Sequence, residues 1–134
     1  MQARCQCGAL SAGIDDAATP MVVACHCLDC QRRSGSPFGE VAYYPDSAVV
    51  LAGETREFTR TTDAGNRFTS GFCPICGSTL YVRASKYPNM VGITVGTFAD
   101  PAFPPPARSV YERSRHPWLR LAEAIPVHPR GRDS

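Results

Sequence analysis

The chain has 134 residues, of which 43% are hydrophobic and 19% are charged, and its formal net charge is +2. These values indicate one globular domain with a modest core, which we predict to span residues 1–129, followed by a disordered tail at residues 130–134. No apolar run approaches the ~20 residues of a membrane span, and the positive charges form no basic stripe, so we expect neither a membrane nor a nucleic-acid partner.

The predicted elements are short strands bounded by turn residues. The 12 prolines and 11 glycines argue against long helices and favour a mainly β fold. In chain order, strands are predicted at Ala9–Ile14, Met21–Cys25, Glu40–Tyr44, Val49–Ala52, Arg56–Thr59, Arg67–Phe72, Thr79–Val82 and Met90–Thr94. One helix is predicted over Leu28–Ser34, ended by Gly35. The proline-rich stretch Asp100–Pro106 predicts a loop, and residues 110–122 are predicted to pack back on the sheet.

Several aromatic residues are predicted to belong to the core rather than to a binding site. They are Phe38, Tyr43, Tyr44, Phe58, Phe72, Tyr81 and Trp118. By contrast, His116 and His128 lie beside prolines in the last quarter of the chain, and we expect them at the surface.

All seven cysteines fall into three clusters with the spacing of metal-binding knuckles. The clusters are Cys5 and Cys7; Cys25, Cys27 and Cys30; and Cys73 and Cys76. A structural zinc takes four thiolate or imidazole ligands, whereas a catalytic zinc takes three and keeps one position open. Seven cysteines divide as four plus three, which predicts two Zn²⁺ per chain, one structural and one reactive. Spacing alone also allows a four-thiolate site formed by Cys5, Cys7, Cys25 and Cys27.

A disulfide framework is the competing interpretation of these cysteines. It is disfavoured by their odd number, by the close spacing within each cluster and by the absence of an apolar signal segment near Met1. We therefore expect free thiolates in a reducing compartment, most simply the cytoplasm. At the triplet Cys25, Cys27 and Cys30, the open position could hold water, an outside thiol or His26.

Three segments together resemble the glutathione-dependent formaldehyde-activating enzyme family, which includes the centromere protein V domain. The segments are CQCG at residues 5–8, CHCLDCQRRSGSPF at residues 25–38 and FCPICGS at residues 72–78. The resemblance extends over nearly the whole chain. It implies a β-tent fold of curved antiparallel sheets with zinc knuckles and few short helices.

The resemblance also implies a division of the metal ligands. Cys5, Cys7, Cys73 and Cys76 would hold the structural zinc, and Cys25, Cys27 and Cys30 the catalytic zinc. Glutathione would be the co-substrate and S-hydroxymethylglutathione the product. One departure from the family pattern is Ser109-Val110, where members often have His-Ile.

The resulting interpretation is a zinc-dependent carbon–sulfur lyase type of enzyme. It would form or cleave an adduct of glutathione, or another small thiol, with formaldehyde or a related small aldehyde. Arg33, Ser34 and Gly35 are candidates for binding the carboxylates of glutathione, although Arg32-Arg33 could equally be a solvated charge pair at a helix end. A non-catalytic zinc-binding module and a thiol- or zinc-handling protein are the alternatives, and an oligomer is compatible with the sequence.

Overall fold

The computed structural model describes residues 1–122 and 124–134, and these residues form a mainly β fold with two sheets. The smaller sheet has three antiparallel strands in the order β1-β2-β5. Its strands are β1 (Gln2–Arg4), β2 (Ser11–Ile14) and β5 (Val49–Ala52). The sheet therefore joins the amino-terminal end of the chain to residues 49–52.

The larger sheet has seven strands in the order β10-β3-β4-β9-β8-β7-β6. The strands are β3 (Met21–Cys25), β4 (Gly39–Pro45), β6 (Arg56–Thr61), β7 (Arg67–Phe72), β8 (Thr79–Ala84), β9 (Met90–Thr94) and β10 (Arg108–Val110). All neighbours are antiparallel except β10, which pairs with β3 in parallel. The parallel pair brings the segment after the proline-rich loop beside the strand that ends at Cys25.

The single α-helix of the described residues, α1, spans Leu28–Ser34 and lies directly after β3. Cys27 is its N-cap residue, and the backbone N–H of Cys30 donates to Cys27 Sγ at 3.2 Å. Gly35 ends the helix with a φ of 69°, a left-handed conformation that glycine adopts without a steric penalty. Three short 3-10 helices, at Asp46–Ala48, Val95–Phe98 and Glu112–Ser114, complete the regular structure of the described residues.

The two faces of the larger sheet have different partners because side chains alternate along each strand. One face packs against the smaller sheet and forms the main core. This core includes Ala3, Leu10, Ala12 and Ile14 from the small sheet side and Val22, Tyr44, Leu80 and Ile93 from the large sheet. The opposite face carries a second apolar cluster around Val41, Tyr43, Phe68 and Val82. The second cluster lines the cavity described below.

The sequence-based fold class is confirmed, and the bounds of α1, β3, β5, β7 and β9 agree with the structure. The three-residue strands β1 and β10 were missed. The prediction that Phe58 and Trp118 are core residues is wrong, since they are 63% and 69% exposed. Phe58 lies on β6, the edge strand of the sheet, and therefore has little to pack against.

The carboxyl-terminal residues 130–134 contact the rest of the domain. Lys86 Nζ donates to Asp133 Oδ2 at 2.6 Å, and the Tyr111 N–H donates to the Arg130 carbonyl oxygen at 2.8 Å. The domain boundary at residue 129 and a disordered tail stay predictions. None of the helices in the described part of the chain is long and apolar enough to cross a membrane.

Candidate functional site

The first and last cysteine clusters meet at one point in the structure. The Sγ atoms of Cys5, Cys7, Cys73 and Cys76 all lie within 4.8 Å of one another. Cys7 Sγ is 3.7 Å from both Cys5 Sγ and Cys73 Sγ. Cys5 and Cys73 are almost completely buried and belong to the main core. This set closes a loop of the chain that contains strands β2 to β7.

Tight turns around these cysteines direct backbone N–H groups toward their sulfur atoms. The N–H of Leu10 donates to Cys5 Sγ at 3.2 Å, and the N–H of Ile75 donates to Cys73 Sγ at 3.4 Å. Gly77 follows the second knuckle with a φ of 78°. Such N–H groups stabilise negative sulfur, so the four residues fit a closed four-thiolate metal site compatible with zinc.

The middle cluster forms a second, separate group. The Sγ atoms of Cys25, Cys27 and Cys30 lie within 4.8 Å of one another. Cys25 is the last residue of β3 and faces the same side as Val23, Cys27 caps α1, and Cys30 lies in the first turn of α1. The strand-to-helix connection therefore brings the three sulfurs together without help from distant parts of the chain.

The triplet is arranged to hold negative charge. Hydrogen bonds from the thiols of Cys25 and Cys30, together with the Cys30 N–H and the charge of Arg60, lower the pKa of Cys27 to about 2. The same hydrogen bonding, with burial, raises the pKa of Cys25 far above its ordinary value. These surroundings favour negative charge on Cys27, and a cation placed among the three sulfurs would be favourable.

The triplet forms part of the wall of a cavity of about 560 Å³. This volume falls in the usual ~300–1,000 Å³ range of small-molecule sites. Apolar side chains of the larger sheet line it, among them Val23, Val41, Tyr43 and Phe68. Charged residues also line it, and most of these are cationic.

His26 lies between two cysteines in the sequence but points away from them. It is completely buried, and its Nε2 is 2.9 Å from Ser109 Oγ and 3.2 Å from Glu112 Oε2. Ser109 Oγ in turn donates to Glu112 Oε2 at 2.9 Å. His26 does not belong to the group of converging sulfur ligands among the described residues. Ser109, where the family often has His, therefore forms a hydrogen bond with His26 and does not line the cavity.

The candidate substrate residues Arg33, Ser34 and Gly35 are not in the cavity of the triplet. Arg33 and Ser34 line a smaller cavity of about 380 Å³ together with Ser78, and Gly35 is the C-cap of α1. The neighbouring Arg32 lines the larger cavity. The side chain of Arg33 passes so close to Gly39 that a Cβ there would lie 2.6 Å from Arg33 Nη2. A role for these three residues in binding glutathione stays a prediction.

Sequence reasoning missed the residues that surround the large cavity opposite the triplet. Asp63, in the loop between β6 and β7, accepts hydrogen bonds from the Tyr111 hydroxyl and from Arg113 Nη2. Arg60 pairs with Asp29 of α1 at 3.5 Å and stacks over the ring of Phe68. In the sequence, the only indication of the apolar surface of this cavity was the alternation of apolar side chains along β4 and β7. No local sequence pattern marks the contacts of Asp63.

Comparison with known proteins agrees with this architecture. The sequence model described as "Glutathione-dependent formaldehyde-activating enzyme" matches residues 1–114. The crystal structure of a Rhodobacter sphaeroides protein is similar in fold, with a TM-score of 0.55 and 20% sequence identity over 78% of this chain and 92% of that chain. No curated protein sequence matches the chain. Because the family match extends over most of its length, the chain belongs to the glutathione-dependent formaldehyde-activating enzyme family.

Proposed function

We propose that this protein is a zinc-dependent enzyme of the carbon–sulfur lyase type, which adds a thiol to an aldehyde and reverses that addition. The observation that supports this best is the convergence of three sulfurs, from Cys25, Cys27 and Cys30, in the wall of a cavity large enough for a substrate. A closed set of four thiolates elsewhere accounts for the remaining cysteines and leaves the triplet free for chemistry.

The residues fit zinc in both places. Four thiolates with N–H donors suit a structural site, and three thiolates beside a cavity suit a site with an open position. Zinc at the triplet would lower the pKa of a thiol placed next to it. We place the reaction in the cytoplasm, since the cysteines must stay reduced to hold a metal.

The reaction is a balanced addition in either direction. The thiol, which we propose to be glutathione, loses its proton to solvent, and its sulfur forms a bond to the carbonyl carbon of the aldehyde. The π electrons of the carbonyl move to oxygen, which takes up a proton, giving the hemithioacetal. The chain contributes by orienting the two reactants: the cavity holds the aldehyde, and Arg33, Ser34 and Gly35 are proposed to bind the carboxylates of glutathione.

Calorimetric titration with glutathione and with S-methylglutathione tests the proposal. Glutathione is expected to bind the metal-containing protein and the S-methyl compound to bind much more weakly, because only the free thiol can become a thiolate. Exchange spectroscopy by NMR should show hemithioacetal forming faster than in buffer, and Cys27→Ser should abolish the acceleration. Equal binding of both compounds, or exchange no faster than in buffer, would contradict the proposed function.

A further inference from the structure

We propose that the aldehyde used by this protein carries an apolar chain that ends in an acidic group. The hydrocarbon chain of this aldehyde would lie along the face of the larger sheet that carries the second apolar cluster, with its acidic end at Arg108 and Arg132. The reaction of the aldehyde group at the triplet rests on the proposed function, but the binding of the hydrocarbon chain and its acidic end does not. The inference deepens that function by naming a substrate class larger than formaldehyde.

The floor of the cavity is an apolar surface of the larger sheet. Val23, Val41, Tyr43, Phe68 and Tyr87 line it and belong to the second apolar cluster of the sheet. Formaldehyde has one carbon, and the short methylene segments of glutathione are interrupted by charges and amide groups, so neither offers an extended hydrocarbon body to this surface. Burial of apolar area stabilises a complex in proportion to the area removed from water. The floor therefore fits a ligand with a hydrocarbon or aromatic body.

The apolar floor continues up to the sulfur atoms of the triplet. Met21, Val23 and Cys25 lie on one face of β3, because side chains two positions apart share a face. Cys25 ends the strand, so the apolar surface leads from the triplet toward Met21, about 13 Å away at ~3.3 Å per residue. If an aldehyde group is bound at the triplet, its substituent would lie along this apolar surface.

Positive charge predominates around the cavity. Six cationic side chains line it, against the two carboxylates of Asp29 and Asp63. The cations are Arg32, Arg60, Lys86, Arg108, Arg113 and Arg132. Both carboxylates have cationic partners, Arg60 for Asp29 and Arg113 for Asp63, and Lys86 pairs with Asp133. Among the described residues this leaves Arg32, Arg108 and Arg132 without a carboxylate partner. The net field inside the cavity is therefore positive and favours an anion.

Two of these cations are positioned to receive the anion. Arg132 Nη1 donates to Met21 Sδ at 3.4 Å, and Arg108 is paired in register with Val23. Within the described part of the chain, the one hydrogen-bond acceptor of Arg108 Nη1 is His128 Nε2, at 3.2 Å. Among residues 1–122 and 124–134, no carboxylate lies within ion-pair distance of either guanidinium. The anionic end of a ligand would provide the partner they lack.

The test uses unreactive probes, so that binding is measured apart from chemistry. Butanoate, hexanoate, octanoate and decanoate are titrated calorimetrically into the protein with its metal content measured, beside the alcohols of equal length. We expect affinity to rise by about tenfold for each two methylenes that become fully buried, and each carboxylate to bind more tightly than its alcohol. Affinity that does not change with chain length, or that is equal for acid and alcohol, would overturn the inference.

Matched variants locate the probe. Arg132→Gln should weaken decanoate binding by about tenfold or more, whereas Arg130→Gln, two residues away and outside the cavity, should not. Val23→Thr places a hydroxyl on the floor and should weaken decanoate binding more than butanoate binding. Its control is Val50→Thr, at a position 72% exposed on β5. Equal effects of Arg132→Gln and Arg130→Gln would overturn the assignment of the anionic end.

A turnover assay distinguishes a failure of the proposed substrate class from a failure of the proposed function. The ω-oxo acids of the same chain lengths are compared with formaldehyde in the NMR exchange assay. Acceleration with formaldehyde but no length-dependent binding of the alkanoates would refute the inference and leave the proposed function standing. Length-dependent binding without acceleration for any aldehyde would refute the function and leave the assignment of the cavity supported.

Discussion

The two groups of cysteines differ in their surroundings, although their chemistry is the same. Cys5 and Cys73 lie in the main core, whereas Cys25 and Cys27 are partly exposed at a cavity. The sulfur count predicted two sites, and the resemblance predicted which residues belong to each. Because burial was not visible in the sequence, the structure supplies the reason to expect unequal effects of substitution.

Replacing Cys73 by Ser should unfold the protein or make it insoluble, whereas Cys27→Ser should leave a folded protein that lacks one metal. The physical reason is that a structural zinc contributes ~10 kcal/mol or more to the folding of small metal-dependent domains. Circular dichroism and metal analysis of the two variants measure this. Equal loss of folding in both would show that the triplet is also structural.

Arg33→Ala should weaken glutathione binding by about 1–3 kcal/mol if its guanidinium holds a carboxylate by charged hydrogen bonds. Arg32→Ala is the matched comparison, because Arg32 is the next residue but lines the larger cavity. Calorimetric titration of both variants with glutathione provides the measurement. A larger loss for Arg32→Ala would mean that glutathione lies in the larger cavity and that the sequence-based choice of Arg33 is wrong.

The elements were predictable where the sequence pattern is long and regular. β3 is a continuous apolar run because one of its faces packs in the main core and the other lines the cavity. α1 has a clear stop at Gly35. β1 and β10 have three residues each, too few for any periodicity, and they exist because neighbouring strands offer hydrogen-bond partners. Pairing of β10 with β3 is a tertiary event that no local pattern encodes.

Gly92 of β9 shows how closely the second face of the larger sheet is packed. A Cβ at this position would lie 2.4 Å from Val41 Cγ1 and 2.8 Å from Val82 Cγ2. Gly92→Ala should therefore lower the free energy of unfolding by about 1–3 kcal/mol through overpacking. Urea unfolding measures this, with Gly13→Ala in β2 as the control, since a Cβ there meets nothing within 4 Å. Equal stability of the two variants would contradict the packing described for this face.

The complete site could not be predicted because it is assembled from distant segments. The cavity needs one face of the sheet, the β6–β7 loop at Asp63 and the segment around Tyr111, which meet only in the fold. By contrast, the triplet lies within six consecutive residues and was visible as a motif. Close spacing in the sequence is enough to bring metal ligands together within one turn of the chain. Substrate contacts depend instead on which strands become neighbours in the fold.

At the scale of the whole molecule, the converging sulfurs of the first and last cysteine clusters bring residues 5–7 beside residues 73–76, and a metal bound there would tie these distant segments together. Purified protein should contain two zinc ions per chain, and a chelator should remove them in two steps. The first zinc should leave the triplet without loss of β-sheet circular dichroism, because that site has three protein ligands and an open position. Removal of the second should coincide with unfolding, since its ligands include core residues.

Metal content and circular dichroism recorded during the same chelator titration provide this measurement. The Cys27→Ser protein is the control and should show the second step alone. A single step in which both metals and the β-sheet signal disappear together would mean that the two sites are coupled. A content of one zinc per chain in protein kept reduced throughout would contradict the division of seven cysteines into four and three, because the structure offers two convergent sets of sulfurs and both should fill.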